Sequence, residues 1–162
     1  TIAALNGIGI GRDDRVAIVL PNGPEMAAAF VSIACAATAA PLNPGYRADE
    51  FEFYLTDLKA KALVVKAGDD TPARAVADRL GVPVIELVPD DGGPAGTYRL
   101  AVEGRPAAAP DAGGRAQSDD IALVLHTSGT TARPKIVPLS NANLAASARH
   151  IGTALALGPE DT

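Results

Sequence analysis

Nine consecutive residues, Thr127-Ser128-Gly129-Thr130-Thr131-Ala132-Arg133-Pro134-Lys135, gather hydroxyls, one glycine and a lysine set behind a proline. Gly129 lets the backbone turn tightly and approach anionic oxygens with no side chain in the way. Successive amide N–H groups in such a turn form a nest for an anion. The hydroxyls of Thr127, Ser128, Thr130 and Thr131 can donate to phosphate oxygens or help orient the shell of a Mg2+ ion. Lys135 adds a compact positive charge suited to outer phosphates, and Pro134 restricts the backbone just ahead of it. The string T-S-G-T-T-x-x-P-K specifies seven positions. At ordinary residue frequencies a chance match in a chain this long is on the order of one in a million, so a flexible hydroxyl-rich linker is the poorer reading. The pattern is not the G-x-x-x-x-G-K-[ST] loop, because Lys135 follows Pro134 and precedes Ile136.

A loop of this kind works only if regular elements hold its two ends. The apolar run Ile121–Leu125 predicts a strand leading into it, and Lys135–Leu139 a strand leading out. Ser140 is placed to cap a helix over Asn141–Leu157, which Gly158-Pro159 ends. Upstream, Arg15–Leu20 reads as a buried strand, broken by Pro21-Asn22-Gly23-Pro24. A helix is expected from Pro24 to about Ala39, with Glu25 complementing its positive end. After the turn Pro41-Leu42-Asn43-Pro44-Gly45, a helix over Ala48–Leu58 spaces Phe51, Tyr54, Leu55 and Leu58 along one face. Strand Ala62–Val65, helix Pro72–Leu80 closed by Gly81, and strand Pro83–Val88 follow. Such alternation implies an α/β fold, a parallel-rich sheet flanked by helices. Residues 90–118 interrupt it as a surface excursion with at most a short strand at Thr97–Val102.

Composition narrows the function classes. The 162 residues suit a single domain, and the formal net charge of −5 argues against a general nucleic-acid binder. It leaves room for a small polyanion, which needs only a few local donors. The single cysteine, Cys35, excludes an internal disulfide. It sits in an alanine-rich stretch and reads as a buried structural thiol in a reducing, cytoplasmic compartment. No leader pattern opens the chain. The apolar run Met26–Leu42 is mostly alanine and falls short of the roughly 20 strongly apolar residues of a membrane span.

The loop resembles that of the adenylate-forming (AMP-binding) superfamily: acyl-CoA synthetases, luciferases and peptide-synthetase adenylation domains. Other segments share the likeness. Gly9–Ile18 with Leu20–Glu25 is similar to an early strand and helix of acyl-CoA synthetases. Pro41-Leu42-Asn43-Pro44 with Tyr46, and Asp119-Asp120-Ile121-Ala122, resemble further conserved stretches. Within the superfamily, His126–Ser140 is most similar to oxalate–CoA, coumarate–CoA and bacterial fatty-acid–CoA ligases. The resemblance implies that residues 1–162 form a single partial domain, part of the large N-terminal domain. The adenine-binding region, a later acidic Mg2+ ligand and the mobile C-terminal domain are then absent. Thr1 opens in the tail of a helix stopped by Gly7, and Thr162 closes on a turn, which fits a piece of a longer chain.

The implied activity is activation of a small carboxylic acid by ATP to an acyl-adenylate, followed by transfer to CoA. Carried over by position, Thr127, Ser128, Gly129, Thr130, Thr131 and Lys135 would contact the phosphates. Ser128 would face Mg2+, and Lys135 would act in catalysis by stabilising the departing pyrophosphate. Alternatives are a non-catalytic scaffold module, or loading of a carrier protein instead of CoA. Two positions depart from the family, which has glycine where this chain has Ala132 and Ile136. A positive φ at Ala132 would cost about 1 kcal/mol. Ile136 favours extended backbone and starts the next strand early.

Other candidates are set aside. Gly7-Ile8-Gly9-Ile10-Gly11 precedes a strand, the wrong order for a dinucleotide fingerprint, and reads as a helix stop and turn. His126, beside the loop, reads as a packed or hydrogen-bonded histidine, with substrate contact as the alternative. His150 reads as structural or exposed. Asp57, Asp69 and Asp70 are scattered and read as solvated charges.

Overall fold

The computed structural model describes residues 1–102, 105–127 and 134–161. Along them run α1 (Ile2–Asn6), β1 (Arg15–Val19), α2 (Pro24–Ala34), β2 (Thr38–Pro41), α3 (Ala48–Leu58) and β3 (Ala62–Lys66). Then come α4 (Pro72–Leu80), β4 (Val84–Pro89), β5 (Tyr98–Ala101), β6 (Ile121–Thr127), β7 (Lys135–Ser140) and α5 (Asn141–Ala154). The strands make one sheet in the order β5-β4-β3-β1-β2-β6-β7. Its interior pairings are parallel, while β4–β5 and β6–β7 are antiparallel. The α/β class and the parallel-rich sheet flanked by helices therefore stand, with an antiparallel strand at each edge.

Side-chain alternation divides the core between two faces. Val16, Ile18 and Leu20 join one cluster with Ile33 of α2, Val64 and Leu87. Ala17 and Val19 turn to the other, with Phe51, Leu55 and Leu58 of α3 and Val76 of α4. Strands covered on both faces read as continuous apolar runs, which is why β1 and β3 are plain in the sequence.

One element differs from expectation. The helix predicted to reach Ala39 stops at Ala34, and Thr38–Pro41 is the central strand β2. Alanine has high helix propensity, so nothing local marks this change. What decides it is the slot between β1 and β6, where Ala39 and Ala40 are at most 1% exposed. Thr38 also satisfies its hydroxyl there by donating to the Ile121 carbonyl at 2.7 Å. Cys35, at the end of α2, is half-buried and not the fully buried thiol expected. At the other end of the chain, α5 stops at Ala154 instead of Leu157. Ala156 takes φ 51°, and the Leu157 amide donates to the Gly152 carbonyl at 2.9 Å, a Schellman-type closure.

The Gly7–Gly11 turn has a packing reason. A Cβ on Gly11 would lie 2.4 Å from the Ala112 carbonyl oxygen, because residues 108–112 pack back onto it. The Arg12 amide donates to that same carbonyl at 2.8 Å.

Because β2 occupies a filled slot, a larger side chain there must overpack it. Ala39→Leu should lower stability by about 1–3 kcal/mol, measured as a reduced denaturation midpoint with an unchanged slope.

Candidate functional site

In parallel α/β sheets ligands gather outside the carboxyl ends of strands, where successive crossovers leave to opposite faces. Here β1 leads into α2 on one face and β2 into α3 on the other, so the crevice opens at the ends of these two strands. β6 lies beside β2 and runs the same way, with Leu123 opposite Ala39. Its carboxyl end, Thr127, therefore reaches the same edge. A groove of about 390 Å3 lies there, lined by Asn22 and Gly23 after β1, Met26 and Phe30 of α2, Pro41, Leu123 and Leu125.

β7 returns antiparallel to β6, with Thr127 opposite Lys135 and His126 opposite Ile136. Directly opposed residues share a face of the sheet. Thr127 and Lys135 thus stand side by side at the loop end of the hairpin, both exposed, on the face carrying Leu125 and the groove. The other proposed phosphate contacts, Ser128, Gly129, Thr130 and Thr131, lie outside the described residues, as does Ala132. Ile136 is within β7 and packs on the opposite face, against the cluster of α3 and α4.

The faces are assigned by a bulge. From Ile121 opposite Ser140 to Leu123 opposite Leu139, β6 advances two residues while β7 advances one. An extra residue of this kind re-aims everything beyond it. Ala122 and Leu123 consequently both serve the α2 face, Val124 turns to the α3 face, and His126 follows Val124. The base of β6 is held by Asp120, whose carboxylate accepts from Arg12 at 3.0 Å and from the Gln117 amide at 2.6 Å. Its carbonyl accepts from the Asn141 amide at 3.0 Å, tying the start of α5 to the same point. Ser140 caps α5 as expected, accepting from the Asn143 amide at 3.2 Å.

On the α3 face, His126 Nε2 lies 3.0 Å from Asp57 Oδ2. The His126 side chain is 6% exposed and that of Asp57 40%. The imidazole meets the Tyr54 ring edge-on at 4.7 Å, and Tyr54 stacks on Tyr46 at 4.8 Å. His126 is thus a hydrogen-bonded, packed histidine, and Asp57, exposed as a surface charge should be, also serves as its hydrogen-bond acceptor. Nothing in the local sequence signals this pair, since the partners are 69 positions apart. Asp70 and His150 are exposed and take no part in the site.

A family model for AMP-binding enzymes matches residues 2–162. The chain belongs to that family. It is 39% identical over 157 residues to a probable CoA ligase, CCL9, of Humulus lupulus, covering 95% of this chain and 30% of that protein. It is also 39% identical over 156 residues to an oxalate–CoA ligase of Arabidopsis thaliana, with the same coverage. Among solved structures, ATP-bound MatB from Rhodopseudomonas palustris superposes with a TM-score of 0.71 at 28% identity, over 99% of this chain and 31% of that one. The chain therefore spans about 30% of the length of these relatives. Its sheet is that of the N-terminal domain of adenylate-forming enzymes. Among the described residues, no helix is long and apolar enough to cross a membrane.

The aromatic stack also sets a titration. The Tyr46 hydroxyl is pushed up to about 12, first by its hydrogen bond with Tyr54, then by burial, then by the nearby Tyr54 and Glu50 charges. Unfolded, it would ionise near 10. Stability from this proton is fully present below pH 10 and is lost as pH rises from about 10 to 12. Tyr46→Phe should flatten the fall in urea midpoint across that interval, and tyrosinate absorbance should lose its most alkaline component.

Proposed function

We propose that this AMP-binding enzyme activates a carboxylic acid at the expense of ATP and passes the acyl group to CoA. The observation that carries the reading is the placement of Thr127 beside Lys135 at the loop end of the β6–β7 hairpin, on the edge of the sheet where the carboxyl ends of β1 and β2 lie. In this reading the intervening hydroxyls and amides surround the ATP phosphates. A substrate carboxylate oxygen bonds to the α-phosphorus as the bond from that phosphorus to the bridging oxygen breaks, releasing pyrophosphate. The Lys135 ammonium faces the charge that develops on the leaving group, an electrostatic role that requires no proton transfer. The CoA thiolate then attacks the acyl carbon and expels AMP.

Mg2+ takes hard, neutral or anionic oxygens. The exposed Thr127 hydroxyl is such a donor, and Ser128 is the neighbour assigned to face the ion. When bound, Mg2+ would share the negative charge of the pyrophosphate. The Humulus and Arabidopsis relatives named above are CoA ligases, which favours CoA over a carrier protein as acceptor here.

ATP–pyrophosphate exchange by the complete gene product tests the assignment. Lys135→Ala should reduce exchange by about a hundredfold or more; unaltered exchange would remove Lys135 from the mechanism. The 162-residue chain by itself should bind ATP weakly and trap no acyl hydroxamate in hydroxylamine. Hydroxamate formation at a steady turnover would show that the adenylating machinery is complete within it.

A further inference from the structure

The latch between His126 and Asp57 stands at a mechanically exposed point. Continuing the pairing of Ala39 with Leu123 places Leu125 opposite Pro41, the last residue of β2. Among the described residues, β7 is the one strand paired with β6 from His126 onward. A two-stranded ribbon is weakly held unless its faces are packed. Here the face toward α3 is packed by Ile136 of β7 and by His126, which comes immediately before Thr127. A carboxylate only accepts, so the ring donates from Nε2 to Asp57. The Tyr54 edge contact supplies a second point of restraint, and two points fix both position and rotation of the imidazole. Asp57 itself is on the last turn of α3, whose Phe51, Leu55 and Leu58 are at most 1% exposed, so the anchor is rigid.

We propose that His126 and Asp57 are positioning residues for the phosphate loop: their hydrogen bond clamps the end of the hairpin to α3 and so sets where Thr127 and Lys135 stand relative to the nucleotide. The proposal rests on the loop being the phosphate site. Since Thr127 and Lys135 are opposed on one ribbon, a tilt of that ribbon displaces both together. Loss of the clamp leaves every phosphate-binding group present and moves them out of register with the ligand. The cost falls on ATP, and the carboxylic acid substrate is spared.

The test compares Asp57→Ala, Asp57→Asn and Lys135→Ala in the complete gene product, using pyrophosphate exchange and thermal midpoint. Asp57→Ala should raise the KM for ATP by about tenfold, the size of one partly solvated charge-assisted hydrogen bond, with the carboxylate KM unmoved. Asp57→Asn retains a carbonyl acceptor for Nε2–H and should restore the ATP KM to within about twofold. Pairing Asp57→Ala with His126→Ala should add nothing to the larger single effect, because each removes the same bond. If Asp57→Ala fails to fold, His126→Leu, which keeps an apolar contact with Tyr54 and drops the donor, is read by the same criterion. A lower thermal midpoint with an unchanged ATP KM, while Lys135→Ala still abolishes exchange, would overturn the clamp and leave the phosphate loop standing. Exchange indifferent to Lys135→Ala would overturn both.

Discussion

The antiparallel register of β6 with β7 is the constraint on which the site depends. With Thr127 opposite Lys135, a hydroxyl and an ammonium share one face at one end of a ribbon. A shift of one residue in either strand would send one of them to the opposite face, since side chains alternate with a period of two. The register is determined lower down. The bulge at Ile121–Leu123 and the contacts of Asp120 with Arg12, Gln117 and Asn141 hold the start of β6. The apolar residues beyond the bulge then choose their faces by burial. Val124 and Ile136 seek the α3 cluster, while Leu123 and Leu125 line the groove beside α2.

The scaffold obeys a second constraint, the narrow space around β2. A strand flanked on both sides and covered on both faces admits little side-chain volume, and alanine fills it at close packing. The return is geometric: β6 can lie directly alongside, with its carboxyl end at the same edge as those of β1 and β2. The segment after β5 contributes in a similar way by packing on Gly11, where a side chain has no room. A fold built from small residues thus brings loops that are distant in sequence onto one rim.

Membership of the AMP-binding enzyme family, the ATP-bound neighbour of similar fold and the hairpin geometry are consistent with one another. The helix–turn signals of α3 and α4, the buried strands β1 and β3, and the strands on either side of the loop were legible because their apolar period or their Gly and Pro punctuation is local. β2 was not, because an alanine run carries no period that separates strand from helix. The end of α5 was missed by three residues because an alanine supplies the left-handed turn usually given by glycine.

What the sequence by itself determined is chemical: a glycine among hydroxyls, a lysine behind a proline, and apolar runs able to flank them. Those features depend on residue type and short spacing, which a linear chain displays directly. Only the tertiary structure decided which groups act from a distance. Asp57 is one acidic residue among several until the crossover from β2 lays α3 beneath the end of β6. His126 faces that helix because one extra residue in β6 inverts the alternation beyond it. Both outcomes depend on burial competing across elements far apart in the chain, a balance that no local pattern records.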